Sequence, residues 1–137
     1  MHYKMRDQIR FKIGKEEKNI QEKWIEISEG TEHIQMMIEM PEEFRYMAFL
    51  FLEDPKKEIR FQKLLGYGQQ NPGIGKSTKD TTIGGVPGEI YPGTWKIGIG
   101  IFTEYVAQKL GEQTGEIVLT VSDRKDEVSD PICGECW

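Results

Sequence analysis

Apolar and polar residues alternate with a period of two through much of this chain, the spacing that puts one face of a β-strand in a core and the other in solvent. Ile9-Arg10-Phe11-Lys12-Ile13 alternates and ends at Gly14. A charged turn over residues 15–19 leads to Trp24-Ile25-Glu26-Ile27. After a turn at Glu29-Gly30-Thr31-Glu32, the run from His33 to Met40 puts Ile34, Met36, Ile38 and Met40 on one face, and Pro41 closes it. Residues 16–29 also suit a helix, since Glu, Lys and Gln form helices well. The strand signals on either side favour strands. Arg45 to Glu53 is the most apolar stretch and reads as a strand buried on both faces or central in a sandwich; Asp54-Pro55 ends it. Alternation resumes from Glu58 to Leu64.

Residues 66–79 are glycine-rich and polar and predict a long loop, followed by a short strand at 81–83 and a bend at Gly84-Gly85-Val86-Pro87-Gly88. Pro92-Gly93 then turns the chain into a strand with Trp95, Ile97, Ile99 and Ile101 on one face. Ala107 to Gln113 reads as a connection with one helical turn, and Glu116 to Val121 as the last strand. Seven to nine short strands with turn signals between them, and no alternation with long helices, predict an all-β fold: a single β-sandwich, jelly-roll-like or immunoglobulin-like. The expected domain covers 1–122. Residues 123–137 are charged and core-free, like a linker or tail.

Composition narrows the function classes. At 137 residues the chain is one domain, large enough for a core without staples. A net charge of −5 and a pI of about 5.2 argue against nucleic acid and anionic membranes as partners. No apolar run reaches the roughly 18 residues of a membrane span. Residues 1–7 lack the apolar centre of a signal peptide, so a cytoplasmic location is expected.

Candidate chemistry is sparse. Gly73-Ile74-Gly75-Lys76-Ser77-Thr78 invites a phosphate-loop reading, but Gln70 stands where that motif needs a glycine. Cys133-Gly134-Glu135-Cys136 has zinc-ligand or redox spacing, yet the only histidines are His2 and His33. Cys133 and Cys136 are therefore weak metal candidates, and no cofactor is expected. His33 reads as a surface or strand-edge residue. Asp123, Asp126, Glu127 and Asp130 lack the spacing of a calcium loop. Ser77, Ser122 and Ser129 have no general base in any motif, so no catalytic residue is assigned. Trp24, Trp95, Tyr67 and Tyr91 could stack on a sugar. Trp95 fits a core position better, which leaves loop residues Tyr67 and Tyr91, with Lys76 in the glycine-rich loop, as the ligand-binding candidates.

One stretch pattern resembles a known family. An apolar strand ending in Asp54-Pro55, Arg60 in the hairpin after it, the turn Thr82-Ile83-Gly84-Gly85-Val86-Pro87-Gly88, and Pro92-Gly93-Thr94-Trp95 before an alternating strand resemble the N-terminal β-sandwich of the CehA/McbA-like group of polymerase-and-histidinol-phosphatase (PHP) type metal-dependent phosphoesterases. The resemblance covers roughly residues 20–122. The chain departs from it at Phe61-Gln62-Lys63, where many members carry a tryptophan-rich hairpin. In that family a catalytic domain follows the sandwich and opens with Gly-Asp and His-x-His. This chain stops at Cys136-Trp137, where that opening would begin. The resemblance thus implies a non-catalytic accessory domain whose partner is the catalytic domain of a larger protein, with divalent metal held only there. The alternative is a free-standing carbohydrate- or ligand-binding module.

Overall fold

The computed structural model describes residues 6–123. Nine strands, β1 (Arg6–Ile13), β2 (Ile20–Ile27), β3 (His33–Met40), β4 (Ala48–Glu53), β5 (Ile59–Leu64), β6 (Gly68–Gln70), β7 (Gly73–Gly75), β8 (Gly93–Ile101) and β9 (Gly115–Ser122), form two antiparallel sheets; one helix, α1 (Thr103–Leu110), precedes β9. One sheet runs β1-β9-β3-β6, with β7 also on β3; the other runs β2-β8-β4-β5. β6 and β7 pair with opposite ends of β3, at Ile38 to Met40 and at His33 to Gln35. The chain breaks between them at Asn71-Pro72, and the Met36 amide bonds the Pro72 carbonyl at 2.9 Å instead.

Taken as one interrupted strand, β6 and β7 complete a nested set: β1 with β9, β2 with β8, β3 with β6 and β7, β4 with β5. That is a long hairpin rolled into two sheets, the jelly-roll topology, so of the two sandwich types expected the jelly roll is the one formed.

The inner faces follow the alternation. Ile34, Met36, Ile38 and Met40 from β3 meet Trp95, Ile97, Ile99 and Ile101 from β8, all buried. β4 alternates too: Ala48, Leu50 and Leu52 are buried, whereas Phe49 and Phe51 are only half-buried, so of the two readings of this strand the central one holds, with β4 between β8 and β5. Three expectations change. The expected strand at 81–83 is replaced by a 3-10 turn at Thr78–Asp80 and an irregular segment, and the expected loop at 66–79 contains β6 and β7. The connection after β8 is a two-turn helix with Val106 in the core, ended by Gly111 at φ 60°, a conformation glycine adopts without steric cost.

The sandwich has two ends. One holds the start of β1, the end of β9, the 54–58 turn and residues 76–92. The other holds α1, residues 14–19 and residues 65–67.

Candidate functional site

The residues that carried the family resemblance meet at the first of these ends. Asp54 closes β4. Its Oδ1 accepts the amides of Lys56 and Glu58 at 2.8 and 3.0 Å, which shapes the turn into β5. Its Oδ2 accepts Nη1 of Arg60 at 3.2 Å. Arg60 is 3% exposed. Its Nη1 also donates to the Glu89 carbonyl at 2.8 Å, and its Nε to the Val86 carbonyl at 3.1 Å. The guanidinium lies 5.5 Å from the Trp95 ring, a stacking distance for a cation on an indole. Trp95 in turn donates Nε1–H to the Tyr91 carbonyl at 2.7 Å.

The backbone repeats the attachment. The Val86 amide bonds the Arg60 carbonyl and the Gln62 amide bonds the Gly84 carbonyl, so residues 84–86 cover the free edge of β5. Gly88 stands where a Cβ would press to 3.4 Å from Arg60 Nη2, at φ 153°. The buried pair and its loop therefore form a clamp that fixes residues 82–95. An arginine this enclosed supports structure; it has no access to a substrate.

Two of the ligand-binding candidates lie beside this clamp. Lys76 Nζ sits between Glu32 and Glu89 carboxylates at 3.7 and 3.6 Å. One face of the Tyr91 ring is covered by Lys56 Nζ at 4.2 Å. Tyr67 is exposed at the opposite end, beyond the last residue of β5, so the structure does not bring it to Lys76 and Tyr91. Cys133 and Cys136, with the charged tail after Asp123, lie outside the described residues.

His33 is a correction. It is 8% exposed, not a surface residue. It opens β3 opposite Gly75 of β7, and its Nε2 lies 2.9 Å from Gln35 Oε1. Gln35 Nε2 donates to the Asn71 and Pro72 carbonyls. The ring fits because its cross-strand neighbours are glycines: a Cβ on Gly73 would stand 2.7 Å from His33 Nε2. The amides of Gly73 and Gly75 are taken by the hydroxyls of Thr82 and Thr81 at 2.9 and 3.0 Å. Those are the amides a phosphate would need, so the segment is a pinned strand and turn. Gly73→Ala is expected to cost about 1–3 kcal/mol by overpacking; a denaturant midpoint unchanged from wild type would refute the close fit.

Trp24, weighed in the sequence as a sugar-stacking residue and set aside in favour of the loop tyrosines, is 60% exposed on the outer face of the four-stranded sheet. The signal was present: Ile25 and Ile27 are buried, so period two sends Trp24 outward. Its cross-strand neighbour is Lys96. Lys96 Nζ is held between Glu22 and Glu53 at 3.1 and 3.2 Å. Hydrogen bonding to Glu22 first, then Glu53, raises its pKa above 10.5. A raised pKa stabilises the fold below the unfolded value and loses that contribution as pH rises through the folded one. The melting temperature of wild type should therefore fall towards that of Lys96→Met above pH 10.5; a gap between the two that persists there would contradict the pairing.

Beside Lys96 the Phe51 ring lies over Gly98, where a Cβ would come within 2.0 Å of it. Phe49 packs 6.4 Å from Phe51. Among the described residues no group of three or more His, Cys, Asp or Glu could hold a metal ion, and no helix is long and apolar enough to cross a membrane. No protein-family model and no curated protein matches the chain.

Proposed function

We propose that this jelly roll is a non-catalytic accessory domain of a PHP-type metal-dependent phosphoesterase, packed against the catalytic domain of the same polypeptide. The observation that carries the reading is the convergence of Asp54, Arg60, residues 82–88 and Trp95 on one clamp. Segments far apart in sequence form one structural unit, which is what a motif of the fold, rather than of a reaction, should do. The chemistry on this reading belongs to metal ions on histidines and carboxylates of the catalytic domain.

The test is the coding sequence flanking this segment, with an assay of its product. The reading expects a downstream Gly-Asp and His-x-His, and manganese-dependent hydrolysis of a phosphodiester by the longer protein but not by residues 1–137. Hydrolysis by residues 1–137 alone, or flanking sequence without metal ligands, would refute it.

A further inference from the structure

We propose that the end of the four-stranded sheet nearest α1 is the interface through which two copies of this chain form a two-fold dimer. Backbone hydrogen bonds line up four segments across that end. The Ile101 amide bonds the Asn19 carbonyl at 2.6 Å, the Phe102 amide the Met47 carbonyl at 3.0 Å, and the Tyr46 amide the Leu65 carbonyl at 2.8 Å. Period two then sends Ile20, Phe102, Phe49 and Leu64 to the outer face together, since Ile25, Ile101, Leu50 and Phe61 alternate with them inward.

The registers make these residues neighbours. Ile20 lies beside Gly100, Gly100 beside Phe49, and Phe49 beside Leu64. Phe102, two positions past Gly100, is diagonal to Ile20 and Phe49. Ile20, Leu64 and Phe102 are 59%, 46% and 45% exposed, and Phe49 is half-buried among them. A Cβ on Gly100 would meet nothing within 4 Å. The glycine is thus the open floor of a recess walled by Ile20, Phe49 and Phe102. Tyr46 extends the patch. Its φ of 63° is a left-handed conformation uncommon outside glycine, and its exposed ring lies close to Gly66, next to exposed Tyr67.

The patch is bounded. One row further along the sheet, the Phe51 ring fills the space over Gly98. Beyond it Trp24 stands in line with Lys96 and Glu53, a charged row left to water. Exposed apolar groups that gather at one place mark interaction sites, and tyrosine and phenylalanine without charges are the composition of an interface centre.

Area, shape and charge all suit a second copy. Ile20, Tyr46, Leu64, Tyr67 and Phe102 are each about half exposed, and side chains of roughly 200 Å² so placed offer roughly 500 Å² per copy. Two copies would cover roughly 1,000 Å², the size at which a specific interface begins. The patch holds a recess and projecting side chains next to each other, so each copy offers what the other lacks, as a two-fold contact requires. Chains of net charge −5 repel one another, and they meet most easily where the side chains are uncharged. The same net charge disfavours an anionic bilayer as the occupant.

Sedimentation equilibrium of residues 1–137 tests the interface. At about 100 μM, above the micromolar dissociation constants of weak interfaces, the mass is expected to be twice the 15.9 kDa of one chain. Gly100→Glu puts a charge on the floor of the recess, where a Cβ finds open space. It should weaken dimerisation about tenfold or more, because the charge would be buried unpaired at the contact, and should leave the circular dichroism spectrum unchanged. Ile20→Glu, on a wall of the recess, should act in the same way and serves as the probe if Gly100→Glu does not fold. Trp24→Glu, outside the patch, should leave the dimer intact. A monomeric wild type would overturn the proposal. A dimer that survives Gly100→Glu and Ile20→Glu, or that Trp24→Glu dissociates as readily as they do, would overturn this surface. A monomer that co-sediments with phosphatidylcholine vesicles would overturn the second copy in favour of a lipid surface.

Discussion

Arg60→Ala is expected to destabilise the domain by about 3–5 kcal/mol, the range for removing one partner of a buried ion pair. The substitution strips the buried Asp54 carboxylate of its cation and leaves the Val86 and Glu89 carbonyls without their donor. It also removes the cation that lies over Trp95. Asp54 keeps two backbone amides on Oδ1, which places the expected loss nearer the lower bound. A paired change separates the effect of charge from that of shape. Asp54→Asn with Arg60→Met retains an acceptor for both amides and an apolar stem under Trp95. It should recover at least half of the loss, because neither position then holds an uncompensated charge. Urea unfolding monitored by circular dichroism reads both. A loss under about 1 kcal/mol for Arg60→Ala would show that the loop at residues 82–92 holds itself without the clamp.

The clamp also shows what could and could not be read from the chain. Alternation assigned the inner faces of β3 and β8 correctly, since period two is a property of the strand itself. Asp54, Arg60 and Trp95 were visible as motif residues, but their convergence was not, because it depends on which strands neighbour one another, and pairing partners are set by contacts remote in sequence. β6 and β7 were hidden for a different reason. Gly68-Gln69-Gln70 and Gly73-Ile74-Gly75 have little strand propensity, and they form strands because β3 offers them a hydrogen-bonding edge. The helix α1 buries Val106 with Leu110 only partly covered, too short an apolar stripe to stand out. Trp24 was legible in its direction, since it alternates with buried Ile25 and Ile27, but its place beside Lys96 was not, because that depends on the pairing of β2 with β8.

Trp95→Ala carries the other large expected effect, about 3–5 kcal/mol, as for other buried tryptophans truncated to alanine. The indole is fully buried at the start of β8, opposite Ile25 in the register. Its removal opens a cavity beneath Arg60 and frees the Tyr91 carbonyl. Trp95→Phe divides these contributions, since it keeps most of the apolar volume and loses the Nε1–H donor. It should cost about 1–3 kcal/mol, the penalty for a buried acceptor left unpaired together with a smaller void. The decisive comparison is with Arg60→Ala. The two side chains are in contact, so the double variant should lose less than the sum of the singles, by about 0.5–3 kcal/mol. Arg60 without the indole has less to stack on, and the indole without Arg60 has already lost its cover. Urea midpoints for wild type, both singles and the double complete the cycle. Strict additivity would mean that the ion pair and the start of β8 are held independently, and that the motif residues share a neighbourhood without forming one unit.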